Sequence, residues 1–281
     1  MVRELSQHLN SCSVNTATLG FQAPIGDVIE AVASAGFGVI APWRREIEGH
    51  GVNAIARQIR DAGLALSGYC RSTYMPAASA QEFEENIGTN KRALDDAAIL
   101  GAPAFVMVVG SLPSGSKDLQ AARQQVKDAC SELADYAGSI GVKLALEPLH
   151  PVYAADRSCL TLLSEALDWC DEIASPWVGV AIDCYHVWWD PNLKRDIARA
   201  GNDRRILAFH VCDWLVPTTD ILNDRGMMGD GVIDIRAIRA AVEASGYEGA
   251  VEVEIFSSAN WWKREMQDIL AACRERLLTA T

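Results

Sequence analysis

The sequence predicts an α/β chain folded as a (β/α)8 barrel of the TIM type, and three observations carry that expectation. Eight short apolar or β-branched runs alternate with eight longer segments of helical period. Many of the helical segments stop at a glycine, the residue that ends helices in the left-handed conformation. The first expected strand is followed by NTATLGFQAP, without the G-x-G-x-x-G phosphate loop that an open doubly wound sheet usually carries. At 281 residues the chain has the length of one such barrel, and residues 1–281 read as a single domain.

In chain order the expected strands are SCSVNTAT (11–18), FGVIAPW (37–43), LALSGYC (64–70), AFVMVVG (104–110), VKLALEP (142–148), VGVAIDCYH (178–186), ILAFHVCD (206–213) and AVEVEIF (250–256). The segments between them, from IGDVIEAVASAG to the terminal WWKREMQDILAACRERLL, place apolar residues three and four apart, as a helix lying on a barrel must. Right-handed crossovers between successive parallel strands close eight such units into a cylinder.

Composition narrows the function. Hydrophobic residues make up 49% and charged residues 22%, an ordinary folded protein. Twenty-five basic residues against 37 acidic give a net charge of −12, which argues against a nucleic-acid partner, whose phosphates demand Lys and Arg. The polar start MVRELSQHLNSCSVNTATLG lacks the apolar stretch of a signal peptide, and no run reaches membrane-span length, so a cytoplasmic protein without a membrane partner is expected. The eight cysteines are scattered, without a C-x-x-C pair, and read as buried small side chains.

Barrel strands alternate between core and helix layer, and barrel chemistry sits at their C-terminal ends. In KLALEP, Leu144 and Leu146 should face the helices, leaving Ala145 and Glu147 inside. In VGVAIDCYH the outward set Val178, Val180 and Ile182 leaves Gly179, Ala181 and Asp183 inside. In ILAFHV, Leu207, Phe209 and Val211 face out, so Ala208 and His210 face in. In VEVEIF the inward pair is Glu252 and Glu254. Four consecutive β–α units thus end in Glu147, Asp183, His210 and Glu254. Three converging carboxylates need a compensating cation. Oxygen-rich donors with one imidazole and no thiolate favour one divalent ion, Mn²⁺ or Mg²⁺ ahead of Co²⁺ or Zn²⁺.

The pieces LEPLH, IDCYH, FHVCD, DRGMMGDGVIDI and VEIFSSANWWK, in this order and spacing, resemble the xylose-isomerase-like barrel superfamily of sugar isomerases and epimerases, most nearly its inosose isomerase group. The resemblance implies metal ligation by Glu147, Asp183, His210 and Glu254, with Glu147 and Glu254 as the acid/base pair. It also implies that His186 and Arg225 contact substrate. His150 is expected near the mouth, with Trp188, Trp189, Trp261 and Trp262 as flat platforms for a sugar ring. Asp213 is read as an acceptor for His210 or His186, and Lys143 as a conceivable partner for Glu252.

The expected function is a metal-dependent sugar or cyclitol isomerase or epimerase. It would remove a proton next to a carbonyl and pass through an enediolate stabilised by the metal. The alternative keeps metal and base but ends in elimination: a dehydratase, or a lyase that cleaves carbon-linked glycosides. A non-catalytic sugar-binding barrel ranks below both. A DNA-cutting relative would need further histidines, and only His8 and His50 lie outside the candidate site. The sequence leaves open the metal, the substrate, and whether the chain forms a homo-oligomer.

Overall fold

Parallel pairing organises the whole cylinder, and its register delivers the strand ends to one mouth. The structure is a computed structural model describing residues 2–6 and 8–281. Its barrel strands are β1 (Cys12–Asn15), β2 (Val39–Ala41), β3 (Ala65–Leu66), β4 (Tyr69–Cys70), β5 (Ala104–Met107), β6 (Lys143–Leu146), β7 (Val178–Asp183), β8 (Ile206–Val211) and, after a short antiparallel pair formed by β9 (Asp213–Trp214) and β10 (Arg225–Gly226), β11 (Val251–Val253). The sheet order is β3-β2-β1-β11-β8-β7-β6-β5-β4.

The expected third strand, 64–70, is broken in two. Its first half pairs with β2 and its second with β5, so Ser67 and Gly68 form the seam through which the cylinder closes. The other strands are shorter than their apolar runs suggest. In particular 184–186 does not extend β7, because Asp183 caps a short helix there by accepting the Tyr185 N–H at 2.8 Å.

Ten helices are present among the described residues: α1 (Ile25–Ser34), α2 (Arg44–Ile47), α3 (Val52–Asp61), α4 (Ala80–Leu100), α5 (Leu119–Ile140), α6 (Leu163–Ile173), α7 (Cys184–Val187), α8 (Leu193–Asn202), α9 (Ile235–Ala244) and α10 (Met266–Thr279). The two long ones show why the sequence starts and stops them where it does. Ser79 and Asp118 accept the N–H of Glu82 and Ala121 at their N-termini, and Gly101 and Gly141 end them at φ of 82° and 77°. None of the helices is long and apolar enough to cross a membrane. All eight cysteines are buried and unbridged.

The main core lies between strands and helices, where Leu144, Leu146, Val180, Ile182, Phe209, Val211, Val251 and Val253 are all nearly inaccessible. Each such side chain contributes roughly 1.5–3 kcal/mol by leaving water. Inside the cylinder, Ala104, Ala145, Ala181 and Ala208 form a separate floor of small residues. One parity expectation fails here. Val180 pairs with Ile206 but Ala181 with Ala208, so Leu207 is the extra residue of a bulge and packs on the alanine floor instead of facing the helices. Beyond the bulge the alternation resumes, and His210 points inward as expected.

A candidate metal centre at the C-terminal mouth

Four strands end within reach of one point. One donor atom each from Glu147, Asp183, His210 and Glu254 lies within 4.8 Å of the others, and all four residues are buried. Glu147 follows β6, Asp183 ends β7, His210 is the penultimate residue of β8, and Glu254 follows β11. His210 Nδ1 is 2.9 Å from Glu147 Oε1 and 4.0 Å from Glu254 Oε2. Three hard oxygens and one imidazole nitrogen at this spacing suit a divalent ion, so the cluster could hold a metal.

The electrostatics fit a site built around a cation. Burial pushes the Asp183 carboxyl up to about 6, against the pull of Arg225. Burial likewise pushes Glu254 up to about 7, opposed by His210 and assisted by Glu147. For His210 burial works the other way, but the carboxylates of Glu252, Glu147 and Glu254 outweigh it and hold the imidazole well above its ordinary value.

Arg225 reaches in from β10 with its guanidinium between the rings of Tyr185 and Phe256, 4.4 and 4.7 Å from their centroids. Its Nη1 lies 3.1 Å from Asp183 Oδ2 and 3.3 Å from Glu254 Oε2, and its Nη2 is 3.3 Å from His186 Nε2. His186, in α7, is almost fully buried. Burial first, then the positive charge of Arg225, lowers its pKa well below the ordinary value, which keeps it neutral.

His150 stands one step behind. Its backbone N–H donates to His186 Nδ1 at 3.2 Å, and its ring packs on Trp214 with centroids 4.9 Å apart. The cavity above the carboxylates is lined by Arg71, Arg157, Tyr153, Trp43 and Phe256 together with Glu147, His186, Arg225 and Glu254.

The expected tryptophan platforms are not brought to that cavity. Trp188 packs against Trp214 at 5.9 Å, Trp189 donates to the His186 carbonyl at 2.8 Å, and Trp261 is buried beneath Arg264. Trp262 donates to the Ala17 carbonyl at 2.8 Å and packs against Phe21 and Phe256. Asp213 does not accept from either histidine. Its carboxylate takes the N–H groups of Trp214, Gly229 and Ile233 at 2.9–3.0 Å, which ties down the loop carrying Arg225.

Glu252 does not pair with Lys143 either. It accepts from Asn15 Nδ2 at 2.8 Å and Ser67 Oγ at 2.6 Å, and lies 3.6 Å below His210 Nε2. Asn15 is the residue whose importance the strand-end reading passes over. Its Nδ2 also donates to Glu254 Oε1 at 3.0 Å, while its Oδ1 accepts from Trp43 Nε1 at 2.7 Å. The parity rule applied to SCSVN would have placed Ser13 and Asn15 inside. Arg71 and Arg157 carry no periodic signal, because both lie in loops.

Residues 29–273 match the family model for the xylose isomerase-like TIM barrel. The chain is 24% identical over 256 residues to a 3-dehydroshikimate dehydratase of Pseudomonas putida, a match that covers 86% of this chain and 37% of that protein. It is 26% identical over 181 residues to an inosose isomerase of Halalkalibacterium halodurans, covering 62% of this chain and 60% of the other. Both alignments therefore span less than two thirds of those relatives. A crystal structure of a protein from Sinorhizobium meliloti 1021 is 49% identical, with a TM-score of 0.95 over 97% of this chain and 98% of that one. By fold, by the match over most of its length and by this structural likeness, the chain belongs to the xylose isomerase-like TIM barrel family.

Proposed function

We propose that the chain is a divalent-metal-dependent isomerase or epimerase of polyhydroxylated carbonyl compounds, sugars or cyclitols, and that all 281 residues act as one catalytic unit. The observation that carries this reading is the buried convergence of Glu147, Asp183, His210 and Glu254 at the strand ends. Carboxylates at this place can take a proton and return it, as acid/base exchange next to a carbonyl requires. The metal, Mn²⁺ or Mg²⁺ by donor chemistry, would be held by these four residues and supply positive charge to the substrate oxygens that gain negative charge.

The chain's own groups do the rest. Glu147 and Glu254 stand three barrel strands apart, so their carboxylates approach a substrate from different sides, one to take a proton and the other to return it. Asn15 fixes Glu254 through Oε1, and Oε2 faces Arg225 Nη1, so a substrate that draws Arg225 away frees that oxygen. Neutral His186 meets a substrate oxygen as a hydrogen-bond partner, and Arg225 holds a second oxygen. Reprotonation of the same carbon gives epimerisation, and of its neighbour isomerisation. Function in the cytoplasm, without nucleic acid or membrane, agrees with the acidic composition.

A dehydratase reading keeps the same base and is favoured by the Pseudomonas putida relative, whose match covers 86% of this chain. One experiment separates the two: incubation of Mn²⁺-loaded protein in D₂O with ketoses and inososes, followed by mass spectrometry. Deuterium gained without loss of water supports the isomerase. Loss of water supports the dehydratase, and neither in metal-loaded protein refutes both.

A further inference from the structure

The three arginines of the cavity are not equivalent. Arg225 is paired with Asp183 and Glu254. Arg71 and Arg157 make no ion pair among the described residues, although the chain carries an excess of 12 acidic charges. Among the described residues Arg71 donates only to the neighbouring Ser72 carbonyl, at 3.2 Å, and its guanidinium lies 4.8 Å from the centroid of the Tyr74 ring. Arg157 lies 5.6 Å from the centroid of Tyr153. An aromatic face orients a guanidinium without neutralising it, so both forks keep their hydrogen-bond donors for something else.

The two cations also feel one another. Burial, with the Arg157 charge as one contributor, holds Arg71 below its ordinary value. Arg157 lines the same small cavity as His186, Glu147 and Glu254, which places it at the catalytic end. Two half-buried like charges, neither ion-paired among the described residues, form an arrangement that an anion would relieve.

We propose that the substrate carries a carboxylate or phosphate group and that Arg71 and Arg157 hold it beside the four-residue cluster. This rests on the catalytic reading above for where the reaction occurs, and narrows its substrate class from neutral sugars to sugar acids or sugar phosphates. Guanidinium forks match both anions by paired N–H···O bonds. Because Arg71 directly follows β4 and Arg157 lies beyond β6, the anion would be gripped by two separate strand-end loops, which fixes the length of the substrate as well as its charge.

Calorimetric titration of Mn²⁺-loaded protein with D-fructose, D-fructuronate and D-fructose 6-phosphate tests this. The expected result is that at least one anion binds on the order of 10- to 100-fold more tightly than D-fructose. The preference should shrink in high salt, collapse in Arg71→Gln and Arg157→Gln, and partly survive in Arg157→Lys, which keeps the charge. Preference for fructuronate identifies a carboxylate and preference for the phosphate ester a phosphate. Equal or no binding of the three compounds, or a preference that persists in the double glutamine variant, overturns the proposal. Deuterium exchange run in parallel keeps the two readings apart. Tight anion binding without exchange would leave this inference standing and refute the catalytic one, and exchange as efficient with D-fructose as with the anions would do the reverse.

Discussion

The two mouths of the barrel are opposites. At the N-terminal end a cavity of about 1030 Å³ runs past the strand starts to the alanine floor, lined by such residues as Lys143, Ile206 and Ala250. At the C-terminal end the space above the carboxylates is about 30 Å³, hardly more than one water molecule. Among the described residues the roomy end has Lys143 and Arg204 but no cluster of converging donors, and the crowded end holds all four. Small inward residues hollow the lower half, whereas Arg225, Trp43 and Phe256 fill the upper mouth. Volume therefore does not mark where the donor groups converge in this fold. Under the proposed function a substrate displaces side chains at the C-terminal mouth, and Arg225, among the described residues the one guanidinium there ion-paired with the cluster, would exchange its carboxylate partners for a substrate oxygen.

Glu254→Gln tests the contrast most severely. It removes a proton carrier while keeping the shape, and exchange in D₂O is expected to fall by roughly 10²- to 10⁴-fold with metal still bound. A variant that binds Mn²⁺ and exchanges normally would show that the crowded mouth is not where the proton moves. The next effect is on stability against pH. Without metal, Asp183 at about 6 and Glu254 at about 7 keep protons in the fold at pH values where the unfolded chain has lost them. Their contribution is fully present below about pH 4 and is lost as the pH rises through 6 to 7, by roughly 3 kcal/mol for each group. Urea midpoints of chelator-treated protein between pH 4.5 and 8 measure it, and a flat profile would contradict the burial argument.

Metal itself gives a comparable but opposite shift. At a hundredfold excess over Kd, Mn²⁺ should stabilise the fold by about 2.7 kcal/mol, raising Tm by roughly 5 °C. No change on adding Mn²⁺, Mg²⁺, Co²⁺ or Zn²⁺ would deny the cluster its role. The smallest effect belongs to the other mouth. Lys143→Met should leave exchange within about twofold and stability within about 0.5 kcal/mol, since Lys143 joins no ion pair among the described residues. A large loss of exchange would bring the N-terminal cavity into the reaction.

What could be read from the sequence follows from what strands impose. Alternation and strand ends are local properties, so Glu147, Asp183, His210 and Glu254 could be placed from the residues alone. Local rules stop where the chain departs from them. The bulge at Leu207 reverses one residue without a sequence mark, and Asp183 ends β7 by capping α7. Partners are a further step removed. Glu252 finds Asn15 and Ser67 from strands remote in sequence, and Asp213 binds three amides of its own loop in place of a histidine. The tryptophans clustered in HVWWDP and NWW suggested a sugar platform, but aromatic density in sequence does not say which face is covered, and here they pack on Trp214, His150, Phe21, Phe256 and Arg264 and donate to backbone carbonyls.

The divided third strand has a consequence for how the cylinder breathes. Along β6, β7 and β8 several successive rungs hold neighbours together, whereas β3 and β4 contribute only two residues each to either side of Ser67 and Gly68. The further backbone bonds there, from Ser67 to Ile40 and from Cys70 to Pro42, are long at 3.3 and 3.4 Å, so the staves of this barrel should part first at that joint. Amide hydrogens of residues 65–70 would then trade with solvent sooner than those of 178–183, and a map of deuterium uptake along the backbone would trace the joint as a line down one side of the protein.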